Sequence, residues 1–327
     1  MNSNPKISVL MPAYNAEKFI NEAIKSILNQ TFTDFEFIII NDGSTDNTEA
    51  IILSYTDPRI RYIKNETNLK LIKTLNKGIE LAKGKYIIRM DADDISIDKR
   101  LELQYQFMEN NPKIGASSGL VYSMSEDGSK IRNSNLYLCT TPISCIFSSF
   151  LRTPISHPSA CIRTDLLKKI KYSDNESALH IEAFVLWGEI IEKGYQIAIL
   201  EKPLVYYRNN SQSISHKYKK QQIRNHAQFS RIHIERCLNI KMTEDTINDL
   251  FITDSKFTIH RLNKALKQVD VLYNKFIEKY NLTNKELNQI TLFKKEFKKS
   301  ILLRNGKRGP LPVKIISLLQ FIKLLFS

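Results

Sequence analysis

The chain has little cysteine and places it without pattern. Cys139, Cys145, Cys161 and Cys237 are the four among 327 residues, with no CxxC pair and no metal-ligand spacing. That argues against a disulfide scaffold or a zinc site, and reduced thiols in a cytosolic protein are the simplest account. Met1–Lys6 leads directly into a strand-like run, so no signal peptide is read. The last apolar segment falls short of the ~20 residues needed to span a bilayer. Acid is scarce at one end. Residues 255–327 hold sixteen Lys/Arg against Asp270, Glu278, Glu286 and Glu296, so +12 of the formal +14 lies there. Such a block suits an anionic partner, a membrane surface or nucleic acid, although any single lysine is as readily the solvated face of a helix. No helix-turn-helix, zinc pattern or RNA-binding aromatic signature supports nucleic acid.

What the chain does have is acid at strand ends. Tyr86-Ile87-Ile88 runs into Arg89-Met90-Asp91-Ala92-Asp93-Asp94. Carboxylates closing a buried strand are costly unless positive charge sits among them. A divalent cation shared with a phosphate-bearing ligand meets that need, because Mg²⁺-like ions take few protein carboxylates and leave the rest to phosphate and water. Glu36–Ile40 likewise runs into Asn41-Asp42-Gly43-Ser44-Thr45-Asp46, a turn followed by helix-start residues. A third apolar run, Ile7–Met11, ends in Pro12-Ala13-Tyr14-Asn15. In open α/β sheets, ligands bind in the crevice beyond such strand ends.

Residues 6–118 alternate strand and helix patterns, which predicts βαβ units and a largely parallel sheet: an α/β fold, Rossmann-like, with helices flanking a mixed, mainly parallel sheet. Residues 119–218 are more mixed, with a strand at Ser159–Ile162, a helix at 182–193 and strands at 195–200 and 204–208. From about 219 the pattern is helical. The organisation expected is therefore a domain over 1–218 and a basic helical region over 219–327. Thr283-Asn284-Lys285-Glu286 reads as a capping box opening a basic helix that stops at Gly306. Leu262, Leu266, Val269, Tyr273, Phe276 and Tyr280 recur at alternating four and three, a seam that packs on its own domain or makes a homodimer through the 257–280 helix. In 311–327, Lys314, Ser317, Gln320 and Lys323 line one narrow polar stripe. The remaining apolar arc is too wide for one packing face, so an amphipathic helix in the membrane interface is preferred over one docked on the domain.

These motifs together resemble the family 2 glycosyltransferases: Ile7–Asn15, then Asn41–Thr48, then Met90–Asp94, each ending a strand, with weaker matches at Leu75–Gly84, His157-Pro158-Ser159 and Leu204–Arg208. The resemblance covers roughly residues 5–215 and implies a GT-A fold, inverting chemistry and a nucleotide-sugar donor. It implies that Pro12, Ala13, Tyr14 and Asn15 line the base and ribose, and that Asp42 accepts a hydrogen bond from uracil. Asp91 and the backbone at Ala92 would lie at the ribose and diphosphate. Asp93, with Asp91, would bind Mn²⁺ or Mg²⁺. His157 and His216 are candidates for acceptor or metal contact. The implied partners are a UDP-sugar donor, a glycan or lipid-linked acceptor of a bacterial envelope and an anionic membrane surface, with no nucleic acid. The implied location is cytoplasmic, peripheral at the inner face of the cell membrane. Leu75 departs from the family, where Arg is common before the equivalent of Asn76, and leaves one phosphate contact unprovided.

Inverting transfer needs a general base for the acceptor hydroxyl. The family places it as the Asp of a Glu-Asp pair just before Leu-Trp. Here Glu182 matches the Glu, but Ala183 stands at the Asp, ahead of Leu186-Trp187. Three readings stay open: a deliberate knock-out, a natural variant using Glu182, or a shifted register. Adjacent helix positions point about 100° apart, which complicates the second. A catalytically silent protein that binds sugar nucleotides or glycans is the rival class that Ala183 motivates.

Overall fold

The computed structural model describes residues 4–133, 138–209, 218–252 and 257–325. Its first part alternates as the sequence pattern predicts: β1 (Ile7–Ala13), α1 (Ile20–Leu28), β2 (Phe35–Asn41), α2 (Thr48–Leu53), β3 (Ile60–Lys64), α3 (Leu71–Leu81) and β4 (Tyr86–Arg89). Then follow β5 (Ile95–Ser96), α4 (Arg100–Asn110), β6 (Ile114–Met124), β7 (Ile131–Asn133), α5 (Pro142–Ser149), β8 (Cys161–Arg163), α6 (Thr164–Ile170), α7 (Glu182–Glu192) and β9 (Gln196–Arg208). The remaining helices are α8 (Lys219–Leu238), α9 (Glu244–Phe251), α10 (Ile259–Lys279), α11 (Asn284–Arg308) and α12 (Leu311–Leu325).

The strands form one nine-stranded sheet in the order β3-β2-β1-β4-β8-β6-β9-β5, with β7 on β6. β3, β2, β1 and β4 are parallel, as are β6 and β9. β8 runs antiparallel between β4 and β6. Its reversed direction is what brings the loop before it, residues 151–158, to the edge where the parallel strands end. The inner strands are buried on both faces. Leu10, Ile38, Ile40 and Ile87 face one core. Val9, Phe37, Ile39 and Ile88 face the other. That is the period-two alternation of a strand covered on both sides.

The helical C-terminal region belongs to the first of these cores. Phe147 of α5 meets Phe276 at 5.1 Å and Phe293 at 5.8 Å between ring centroids. Gln289 of α11 accepts from Ser144 Oγ (2.7 Å) and donates to Thr140 Oγ1 (2.8 Å). His233 of α8 bridges Ser149 (2.9 Å) and Glu192 (2.8 Å), tying three helices through a fully buried ring.

Several expectations need correction. Of the two readings of the α10 seam, packing on its own domain is the one observed: Leu262, Val269 and Phe276 have no exposure. The capping box at Thr283 is present, but its helix runs past Gly306 to Arg308. One helical glycine costs only about 1 kcal/mol, and the stop is supplied by Gly309-Pro310. The strands read at 195–200 and 204–208 are one strand, β9, with register shifts against β6 where Pro203 interrupts it. On α12 the polar stripe is split: Lys314 and Lys323 are exposed, but its middle turns inward. Ser317 is fully buried and Gln320 bonds Asn263 at 3.1 Å, while Leu311, Ile315, Leu318 and Leu319 are more than half exposed. Val313, Ile316, Phe321 and Leu324 pack on the domain beside Ser317, and the other large apolar residues are left outside. Among the described residues no helix is long and apolar enough to cross a membrane.

Because Phe276 joins the helical region to the sheet's core, Phe276→Ala is expected to cost about 3–5 kcal/mol. It should lower the melting temperature of a single transition. Two separate transitions by calorimetry, with only one shifted, would show that the two regions fold independently.

Candidate active site

β1, β2 and β4 are parallel neighbours, so their C-terminal ends share one edge, and β6 and β9 end there too. A cleft of about 2090 Å³ opens at that edge. It is lined by Pro12, Ala13, Tyr14, Asn15, Asp42, Asp91, Ala92, Asp93, Glu182 and Ala183, so nearly every residue singled out in the sequence meets in one place. His157 also lines it. His216 lies outside the described residues.

The first wall is built by the turns after β1 and β2. Asn15 adopts φ 47°, and its Oδ1 accepts from Thr45 N (2.9 Å) while its N–H donates to Ser44 Oγ (3.0 Å). Gly43 sits at φ +70°, where a Cβ would come within 2.8 Å of the Thr67–Asn68 backbone. Only glycine fits that turn. Asp42 is buried, and its Oδ1 accepts from Asn65 Nδ2 (2.8 Å) and Leu69 N (2.9 Å), which aims the carboxylate before any ligand arrives. Lys70 and His180, at φ 71° and 67°, also line the cleft. Non-glycine residues held there carry backbone strain that the surrounding structure must enforce.

The second wall is the acidic turn after β4. Asp91 is gripped at both oxygens by the buried Arg89, at 2.6 and 2.8 Å. Arg100, fully buried, bonds the Arg89 carbonyl at 2.6 Å and so fixes that strand end. Arg208, at the end of β9, clamps the turn from the far side. Its N–H donates to Asp94 Oδ1 (2.8 Å), its Nε to the Asp93 carbonyl (2.8 Å) and its Nη2 to Glu22 (2.6 Å). In the sequence Arg208 is only the end of a weak motif. Its position beside the acids follows from β9 running parallel to β6, which local pattern does not reveal.

Charge density at this turn is high. Carboxylate oxygens of Asp91, Asp93 and Asp94 lie within 4.8 Å of one another. Burial, then the Asp91 charge, push Asp93 up to about 6. Burial, with both neighbouring aspartates, pushes Asp94 well above the ordinary carboxylate range. Asp94 Oδ2 is buried with no hydrogen-bond partner among the described residues. A hard, oxygen-only donor set with an orphaned buried oxygen and unfavourably charged acids fits a divalent cation such as Mn²⁺ or Mg²⁺.

The third wall is the N-terminus of α7 with the 151–158 loop. Glu182 is the first helical residue, and burial raises its pKa. Ala183 is partly buried against the core and lines the same cleft. His157 Nε2 is 2.7 Å from Tyr172 Oη, and its ring lies edge-on to Trp187. Burial and Arg89 hold it well below the ordinary histidine pKa, so it is neutral and packed as a structural hydrogen bonder. Leu75 is fully buried in the core, so the position where the family often has Arg does not face the cleft here. Lys70 and Lys73, at the start of α3, do.

The sequence model described as glycosyl transferase family 2 matches residues 8–170. An uncharacterized glycosyltransferase of Haemophilus influenzae is 31% identical over 295 residues, covering 87% of this chain and 90% of the relative. The chain belongs to the family 2 glycosyltransferases. The Escherichia coli enzyme named UDP-Glc:α-D-GlcNAc-diphosphoundecaprenol β-1,3-glucosyltransferase WfgD is 37% identical over 105 residues, 32% of this chain and 42% of that one. The mannosyltransferase PcManGT of Pyrobaculum calidifontis, solved with GDP-Man and Mn²⁺, superposes with a TM-score of 0.56 at 16% identity, over 100% of this chain and 82% of that one. This glycosyltransferase therefore has the GT-A fold, with a helical C-terminal extension.

Asp93 gives the glycosyltransferase a pH signature. Its native pKa of about 6 lies above the ordinary 3.8, so between those values the native state holds the proton longer than the unfolded state. Its contribution therefore destabilises the metal-free protein as pH rises through that window. In EDTA, Asp93→Asn is expected to be more stable than the parent at pH 7, by on the order of 1–3 kcal/mol, with the difference vanishing near pH 4. Mn²⁺ should reverse the order by stabilising the parent alone. Melting curves from pH 4 to 7 with and without Mn²⁺ test this; a pH-independent difference would refute it.

Proposed function

We propose that this glycosyltransferase moves a hexose or N-acetylhexosamine from a UDP-sugar to a glycan acceptor hydroxyl with inversion, in bacterial surface polysaccharide or lipooligosaccharide synthesis. One observation carries the reading. The hydrogen-bonded Asp42, the Asp91–Asp93 turn and the half-buried carboxyl of Glu182 open into one cleft. A nucleotide base, a diphosphate and a reacting sugar would then lie in sequence along it. UDP is preferred because Asp42 is pre-aimed to accept from a ring N–H, and because the WfgD relative is named for UDP-Glc.

In an inverting displacement the acceptor oxygen attacks the anomeric carbon. The bond to the diphosphate breaks, and its electron pair leaves with the nucleotide. Asp93, with Asp91, would hold the divalent cation, which supplies charge stabilisation for the departing diphosphate. Arg89 holds the Asp91 carboxylate, and Arg208 fixes the turn through the Asp93 carbonyl and Asp94 Oδ1. Glu182 takes the acceptor proton in our reading. It is the carboxyl at the α7 N-terminus, and its raised pKa makes it a stronger base than an exposed glutamate. Ala183 cannot accept a proton, so the role usually given to the second residue of the pair falls to the first. A silent binding protein remains the competing reading, because Ala183 stands where the base is expected.

The helix α12 would rest on an anionic membrane surface. Leu318 and Leu319 are 59% and 61% exposed on its outer side, and Lys314 and Lys323 flank them. Apolar side chains beside cations suit the headgroup boundary. Such a placement would keep the enzyme cytoplasmic and peripheral.

Isothermal titration with UDP and Mn²⁺ should show saturable binding that Asp93→Ala abolishes and Asp42→Ala weakens without removing metal dependence. Retention of tight, Mn²⁺-dependent UDP binding in Asp93→Ala would misplace the site. In transfer assays Glu182→Gln should lower kcat by ~10²–10⁴ with UDP affinity unchanged. If Glu182→Gln retains full activity, another base operates, and if the parent shows no transfer while Ala183→Asp restores it, the native base is missing from this chain.

Leu318→Asp with Leu319→Asp should release the protein from anionic vesicles in flotation assays while leaving Mn²⁺–UDP binding intact. Parent binding should weaken as salt rises, since the Debye length is only about 10 Å at 0.1 M. Unchanged flotation of the double variant would rule out α12 as the membrane contact.

A further inference from the structure

The cleft continues past Glu182 along a further wall. Phe184, one residue beyond Ala183, stacks on His226 of α8 at 3.9 Å and 5°. His226 meets Phe251 of α9 at 4.9 Å, and Phe251 meets Phe297 of α11 at 6.0 Å. All four rings line the cleft. Burial pushes His226 down to about 3, so the wall carries no charge of its own. It is a contiguous aromatic surface leading from the N-terminus of α7 to the C-terminal helices.

The wall ends in cations. The Arg152 guanidinium lies 5.6 Å from the Phe297 centroid and 5.8 Å from that of Phe293. It is exposed to the cleft and makes no side-chain hydrogen bond or ion pair among the described residues. Glu296, the acid that lies toward it, is paired with Lys299 at 2.6 Å. Ser300 and Arg304 follow Phe297 on α11 at helical spacing and line the same end. Arg304 donates Nη2 to the Asp249 and Leu250 carbonyls at 3.4 and 2.9 Å, which holds it in place. Among the described cleft-lining residues drawn from 151–155 and from α8, α9 and α11, none is acidic.

We propose that this end of the cleft is an acceptor subsite for a phosphate or diphosphate ester. Arg152 and Arg304 would take the anionic oxygens, and the ring wall would carry the attached glycan toward Glu182. The inference rests on the glycosyltransferase reading and names the class of its acceptor: a sugar carried on a phosphate, not a neutral free oligosaccharide. An arginine beside aromatic rings, with no carboxylate on it, presents donors that match phosphate oxygens. α11 ends at Arg308 and α12 begins at Leu311, so the exposed apolar face of α12 starts about two helical turns along the chain from Arg304.

The test uses the full chain in EDTA, so that a diphosphate has no metal through which to reach the aspartates. Farnesyl diphosphate, inorganic pyrophosphate and farnesol are titrated calorimetrically. Farnesyl diphosphate should bind saturably, and farnesol should bind at least about tenfold more weakly. Arg152→Ala should weaken farnesyl diphosphate and pyrophosphate by about tenfold or more, with Arg152→Lys in between. Mn²⁺–UDP titration of Arg152→Ala should match the parent. That readout separates this proposal from the donor assignment, which could fail while the EDTA result stands. Equal binding of farnesol and farnesyl diphosphate, or parent-like farnesyl diphosphate binding in a folded Arg152→Ala, would overturn the proposal. So would a loss of anionic-vesicle binding in Arg152→Ala with farnesyl diphosphate unaffected, because the cation would then serve membrane headgroups. Arg152→Lys keeps the charge and guards against a folding defect in the alanine variant.

Discussion

Three carboxylates at the end of one buried strand repel one another, and the structure around β4 is arranged to tolerate them. Asp91 is neutralised by a two-point ion pair with Arg89. Asp93 and Asp94 are held by backbone and side-chain bonds from Arg208, which do not cancel their charge. What is left over appears as the raised pKa of Asp93 and the orphaned oxygen of Asp94. The protein thus folds with an electrostatic deficit that a divalent cation would relieve, which couples ligand binding to the stability of the turn.

Everything else in the cleft is placed relative to that turn. β1 beside β4, and β2 beside β1, deliver Asn15 and Asp42 because parallel strands end on one edge. The antiparallel β8 delivers the 151–158 loop because its reversed direction puts its beginning where the others finish. The C-terminal helices complete the far wall, and they do so from inside the same hydrophobic core that backs the sheet. The two walls of the cleft therefore rest on one core, and a core substitution in α10 would be felt in both.

Ala183, the position where the family resemblance leads one to expect an aspartate, sits beside a carboxyl in the structure. Helix geometry separates adjacent side chains by about 100°, so Glu182 and Ala183 cannot both aim at one atom. Yet both line the cleft, and Glu182 keeps a half-buried carboxyl close enough to feel Arg89 and Asp91.

The sequence by itself determined the alternating strand–helix order of the first 118 residues, the three strand-end motifs and the capping box at Thr283. Each depends on residues near one another in the chain: period-two burial, a glycine that alone fits a turn, a hydroxyl three residues from a glutamate. It also made the Asp93 cluster legible, because acids ending an apolar run are anomalous wherever they occur. Only the tertiary structure decided which faces were covered. The α10 seam went into the core instead of a partner, Leu75 turned away from the cleft, and Ser317 went inward while Leu318 and Leu319 stayed out. Arg208 and Arg152 acquired their places through strand pairing and helix packing across long stretches of chain. A helical or stranded pattern says that a residue has a side to hide or show; what lies against that side is set by distant segments, and no local pattern encodes it.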